Sequence, residues 1–263
     1  VVKSGRAGEV PAVLLRVAHM AIVRGDFPLV FEIHQQVRMS FERLGQKSFY
    51  VRSLLNEMWQ RTNCGDFHVA RKLRDEAARR IAAMGTDGGT ERERLHQQDA
   101  ELAVAEGRGE DALRLVRDFP NRSGLNWARL EADALVLMGR VREAEDFAAR
   151  TVREMSPKED ITDRTVMRCT LARAQSAGRK NLAAAETARM ALSDGGVASQ
   201  ALDRMGCLLV LQKALALAKD SGAADVKLRA QRELNTLSAN WPGELRRLFL
   251  NRPDMRRYLE EEN

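Results

Sequence analysis

This chain is poor in aromatic residues, which fill only 5% of its 263 positions, and it holds just six prolines and three cysteines. Ala, Leu and Arg dominate instead, and these residues favour helix most strongly. The few prolines and the near absence of alternating β-branched runs argue against a sheet. Cys64, Cys169 and Cys207 stand far apart, and no two have metal-ligand or redox spacing. They are expected to act as small apolar side chains in a reducing, cytoplasmic setting. No stretch reaches the ~18 uninterrupted apolar residues of a membrane span. The most apolar run, 207–218, is broken by Gln212 and Lys213. Phosphate-loop, nucleophile-elbow and kinase motifs are all missing. His19, His34, His68 and His96 are scattered, without partners at metal spacing. These absences predict no catalytic residues, no metal and no cofactor. Signal-peptide features are missing as well. The chain starts without Met in a polar stretch, Val1 to Glu9. That suits a processed form or, as expected here, a piece cut from a longer protein.

What the chain does have is a recurring glycine with an alanine five residues later. Gly65 precedes Ala70, Gly107 precedes Ala112, Gly139 precedes Ala144 and Gly178 precedes Ala183, while Gly25 has Val30 in that place. From Gly25 onward the glycines are 40, 42, 32 and 39 residues apart. Each closes one helical pattern and opens the next. A period of this size marks stacked helix pairs, which usually bind rather than transform. The glycine allows positive φ at the reversal, and the small residue lets the two helices approach. Asp26 is expected to cap a helix whose stripe is Phe27, Val30, Ile33 and Val37. The Gly85–Thr90 stretch reads as a loop. A sixth turn is placed at Gly222, where position 227 is Lys rather than Ala.

The predicted fold is all-α: a right-handed α-solenoid of about six antiparallel helix pairs with a C-terminal helical cap. Residues 1–9 form a polar lead-in, 10–238 the array and 239–263 the cap. Pro242 and Pro253 start the two cap helices, predicted at Glu244–Leu250 and Asp254–Glu262. The cap is expected to turn a polar face outward at the end of the array.

The net charge is +6. From Arg38 to Arg80, ten Lys or Arg face five Asp or Glu. Such a region could attract nucleic acid or another polyanion, or it could be a solvated helix face.

Gly107-Arg108-Gly109-Glu110-Asp111-Ala112-Leu113 and Gly139-Arg140-Val141-Arg142-Glu143-Ala144 resemble the turn and second-helix opening of tetratricopeptide repeats. Ala18, Ala100 and Ala132 fall seven before their turn glycines, where that family has a small residue. The resemblance covers about residues 10–238, with a spacing longer than the family's usual ~34 and poorly matched aromatic positions. The long units are similar to the arrays of bacterial signal-transduction ATPases and transcription regulators. The resemblance implies a concave groove that binds a peptide or protein segment. It points inward the first-helix residues 13, 10, 6, 3 and 2 before each turn glycine. The partner-binding residues it implies are Arg52, Trp59, Asn63, Arg94, Gln97, Asn126, Arg129 and Arg168. His19, Glu101, Asp133 and Gln175 occupy further inward positions.

The expected function is a non-catalytic protein- or peptide-binding scaffold, the repeat portion of a larger cytoplasmic regulator. One alternative is an intramolecular control module of a neighbouring ATPase or kinase. Another is nucleic-acid binding through the basic 38–80 region.

Overall fold

The structure is a computed structural model that describes residues 9–119, 124–156, 158–195, 201–253 and 255–256. Among these residues it contains α-helices, a 3-10 turn and no strand. The helices pair in sequence. α1 (Glu9–Arg24) and α2 (Phe27–Arg43) form the first pair, and α3 (Lys47–Asn63) and α4 (Phe67–Ala82) the second. The third comprises α5 (Gly89–Ala105) and α6 (Gly109–Asp118), the fourth α7 (Leu125–Leu137) and α8 (Val141–Glu154). α9 (Ile161–Ala177) with α10 (Asn181–Gly195), and α11 (Ala201–Leu217) with α12 (Ala223–Leu237), complete six pairs. α13 (Gly243–Leu250) follows. Each helix from α1 to α12 packs on the next, and from the second pair onward the first helices of neighbouring pairs also touch. The result is the all-α, solenoid-like stack that the glycine period predicts. The second cap helix, predicted at Asp254–Glu262, lies mostly outside the described residues. The Gly85–Thr90 stretch is not a plain loop: Gly85–Gly88 forms the 3-10 turn, and α5 already starts at Gly89.

One backbone motif makes every reversal within a pair. At the first, the Asp26 N–H donates to the Ala21 carbonyl at 2.9 Å and the Gly25 N–H to Ile22 at 3.0 Å. The residue between must take a left-handed conformation to satisfy these carbonyls. Gly25, Gly65, Gly107 and Gly139 do so, with φ between 74° and 79°. In the last two pairs the left-handed residues are Arg179 and Lys219, with φ of 60° and 56°. The turns expected at Gly178 and Gly222 are therefore corrected to Arg179 and Lys219. The spacing becomes 40, 42, 32, 40 and 40 residues.

The correction moves the small residue too. Ala70, Ala112 and Ala144 are fully buried as expected, and so is Val30. Ala183 is exposed, and Ala184, five after Arg179, is the buried one. Asp26 caps α2 by accepting from the Leu29 N–H, Asp66 caps α4 through Val69, and Asp160 caps α9 through Thr162.

The C-terminal segment does more than cover the last pair. Trp241, Leu245, Phe249 and Met255 share one buried cluster with Phe27, Phe31, Cys64, Met205, Leu208 and Leu234. That cluster joins the first two pairs to the sixth. The Trp241 indole N–H donates to the Gly25 carbonyl at 2.7 Å, and its ring meets Phe27 and Phe249 edge-on. The Arg252 guanidinium donates to the Asn63 carbonyl. Pro253 rests beside Gly107, and the backbone of Leu248 runs against Gly65. The segment thus crosses the turns of the first three pairs and closes the array on itself, while Glu244 and Arg247 face solvent.

Candidate binding cavity

The first helices of the second to sixth pairs line a cavity of about 380 Å³. That is within the usual range of small-ligand sites. Asn56, Trp59, Thr62 and Asn63 come from α3, and Arg94, Gln97, Gln98 and Glu101 from α5. α7 adds Asn126, Arg129 and Asp133, α9 adds Asp163, Cys169 and Arg173, and α11 adds Asp203 and Gly206. Phe249, Arg252 and Met255 of the C-terminal segment close one side. Spacings of three and four residues put each set on one helix face.

Six of the eight residues predicted to bind a partner meet here: Trp59, Asn63, Arg94, Gln97, Asn126 and Arg129. Two do not. Arg52 turns away to Glu91, with Nε 3.1 Å from Oε1. Ser48 also donates to that carboxylate. Burial opposes the charge on Glu91, and these two donors outweigh it, holding its carboxyl below the ordinary range. Arg168 pairs with Asp194 of α10, outside the cavity. Its place shifts with the turn: counted from Arg179, the inward positions of α9 become Val166, Cys169, Arg173, Ser176 and Ala177, of which the first three line the cavity.

Most charge inside is already matched. Arg129 pairs with Glu101 and stands 3.6 Å from Asp133, and Arg173 donates to Asp133 at 3.1 Å. Burial opposes the charge on Arg129, but Glu101 and Asp133 still hold its guanidinium above the ordinary range. Three groups, Arg94, Asp163 and Asp203, stand apart from this chain of ions, and burial, with Asp160 and Glu159 adding to it, holds the Asp163 carboxyl above the ordinary range. Arg94 is exposed and makes no ion pair among the described residues. Asp203 keeps some accessible surface toward the cavity yet is ringed by protein. Burial pushes its carboxyl up to about 6, against the pull of Arg129 and Arg173. The buried Thr62 Oγ1 and Gln98 Oε1, both on lining residues, have no hydrogen-bond partner among the described residues.

Asp203, Arg173 and Arg252 were not predicted. Arg173 becomes legible once the turn is placed at Arg179. Arg252 arrives through a long-range contact that helix periodicity does not encode.

The basic 38–80 region is largely matched by carboxylates. Arg38 pairs with Glu57, Arg61 with Glu57 and Asp66, and Arg80 with Glu42. Arg52, Arg71 and Arg74 reach forward to Glu91, Glu106 and Asp99 of the third pair. Six of the ten cations are thereby paired, three of them with acids beyond the window. The three cysteines are buried. Among the described residues no group of His, Cys, Asp and Glu could hold a metal ion, and no helix is long and apolar enough to cross a membrane.

No protein-family model matches the chain, and no curated protein matches it significantly.

Proposed function

We propose that this chain is a non-catalytic binding module, the repeat portion of a larger regulator. Its inner cavity receives a short peptide segment or the tip of a partner protein. The observation that carries the reading is the meeting of Trp59, Asn63, Arg94, Gln97, Asn126 and Arg129, drawn from three helices, around one cavity. Trp59 offers apolar area, Arg94 a cation outside the internal ion pairs, and Asn63, Gln97 and Asn126 offer polar groups. The tetratricopeptide resemblance supports the same face. The ion pairs of the 38–80 region favour this reading over a polyanion site, because matched cations add little to an external field.

The test is a random linear-peptide display library panned on the full chain, with selected peptides then titrated by calorimetry. Trp59→Ala is expected to weaken them by about tenfold or more, as anchors do, and Arg94→Glu to weaken those bearing a carboxylate. Peptides that bind both stable variants at full strength would overturn the reading.

A further inference from the structure

Each pair from the second to the sixth presents one face of its first helix to the pair before it. Counted back from the left-handed turn residue, the positions are twelve, eight and five. In α3 they are Ser53, Glu57 and Gln60, all buried. Ser53 and Glu57 meet His34 and Arg38 of α2. In α5 they are Leu95, Asp99 and Leu102, where the two leucines share a cluster with Leu73, Ala77 and Ile81 of α4. Asp99 takes Arg74 of α4. In α7, Trp127 and Ala134 pack with Ala112, Leu113 and Val116 of α6, and Glu131 takes Arg117. In α9 they are Met167, Leu171 and Ala174, and the first two pack with Phe147 and Ala148 of α8. In α11, Cys207, Leu211 and Ala214 lie on Ala184, Ala185, Ala188 and Ala191 of α10. The covering element is always the second helix of the preceding pair.

The same positions in α1 are Val13, Val17 and Met20. They are 57%, 43% and 53% exposed. All three are apolar and lie along one stripe at helical spacing. Ala18, on the opposite side, is buried against α2 with Ile33, Val37 and Phe41. The stripe thus continues an interface that the molecule already forms five times, but no helix covers it among the described residues.

We propose that this face of α1 seats an amphipathic helix stacked as the second helix of a preceding pair and joined to the same polypeptide ahead of α1. The stripe's chemistry is closest to that of α9 and α11, whose partners present small and apolar side chains. Three half-exposed side chains fall well short of the ~800 Å² per partner that a standard two-protein interface buries. A free second copy is therefore a poor occupant. A tethered helix is a good one, because the linker supplies the effective concentration.

The test uses methionine oxidation footprinting with dilute hydrogen peroxide. Met39 and Met190 are each 50% exposed and serve as internal standards. In the full chain Met20 is expected to oxidise as fast as they do. A fusion then places a duplicate of residues 125–160, which holds α7, α8 and the connection to the next pair, directly ahead of Glu9. There Met20 is expected to slow by about tenfold or more, with Met39 and Met190 unchanged. Val17→Asp in the fusion should restore fast oxidation without loss of helix by circular dichroism. Met20 oxidising at the same rate in chain and fusion would overturn the proposal. So would a dimer by light scattering that Val17→Asp dissociates, since the occupant would then be a second copy.

Discussion

Replacing Gly65 and Gly139 separately by Ala isolates the energetic role of the C-terminal segment. Both residues make the same helix reversal, with φ of 77° and 74°. An alanine held in that conformation costs roughly 1–2 kcal/mol through its Cβ. At Gly139 nothing lies within 4 Å of where the Cβ would stand, so Gly139→Ala should cost only that amount. At Gly65 the added carbon would stand 2.5 Å from the Leu248 carbonyl oxygen and 2.9 Å from its carbon. A backbone cannot swing aside as a side-chain tip can. The segment must shift, pulling Phe249 from its place beside Trp241 and Arg252 from the Asn63 carbonyl. Overpacking of this kind adds about 1–3 kcal/mol, so Gly65→Ala should cost about 2–5 kcal/mol. Urea midpoints of both variants give the totals. Because repeat arrays can unfold in parts, amide hydrogen exchange in α13 supplies the local readout. It should accelerate in Gly65→Ala and stay unchanged in Gly139→Ala. Equal midpoints with equal α13 protection would show that the segment does not hold the second turn as described.

Three further outcomes follow from the packing and titration of the array. Ala184→Leu should cost roughly 1–3 kcal/mol by overpacking, whereas Ala183→Leu, on an exposed position, should leave the thermal midpoint nearly unchanged. Arg179→Gly and Lys219→Gly should each be neutral or stabilising by up to about 1 kcal/mol in urea titrations. Relief of left-handed strain competes there with the greater freedom of glycine in the unfolded chain. His34 is buried, and burial first, with Arg38 adding to it against Glu57, lowers its pKa from 6.5 to about 4. The unfolded chain therefore takes up this proton first, and stability should fall by up to about 3 kcal/mol as pH drops from 6.5 to 4. The raised Asp203 acts oppositely, gaining its proton in the folded state between about 6 and its ordinary value of 3.8. In Asp203→Asn the acid-side loss should steepen, and adding His34→Gln should flatten it.

The first four turns were legible because glycine occupies the left-handed position in each. In the fifth and sixth, Arg179 and Lys219 hold that conformation, and Gly178 and Gly222 nearby mislead a reading based on glycine alone. One residue of error at Gly178 exchanged Ala184 for Ala183, Cys169 for Arg168 and Arg173 for Ala172. Trp59, Arg94, Gln97, Asn126 and Arg129 were placed correctly because their turns were. Arg52 shows a different limit. Its position was read correctly, but a buried Glu91 two helices away redirects its side chain, and helix spacing carries no information about such a pair. Trp241 and Phe249 fit the pattern of an ordinary terminal helix, so nothing local indicates that they close the array against Phe27.

That closure changes what the groove can do under the proposed function. An open superhelix can take a long extended segment along its inner face. Here Phe249, Arg252 and Met255 occupy one side of that face, and the cavity that remains is of side-chain scale. Glu101, Arg129, Asp133 and Arg173 neutralise one another within it, so a ligand cannot use them without breaking buried pairs, a large penalty. Discrimination then falls to the exposed Arg94, to Asp163 and Asp203 and to the apolar surface of Trp59. A short segment with a carboxylate for Arg94, or a cationic side chain for Asp203, meets these demands. A long polyanion meets neither the size nor the charge. Because Asp203 titrates near 6, a cationic segment should bind more tightly at pH 7.5 than at pH 5. Asp203→Asn should remove that dependence, while a carboxylate segment held by Arg94 should keep its affinity in the same variant. A cationic peptide whose affinity ignored both pH and Asp203→Asn would place its contacts outside this cavity.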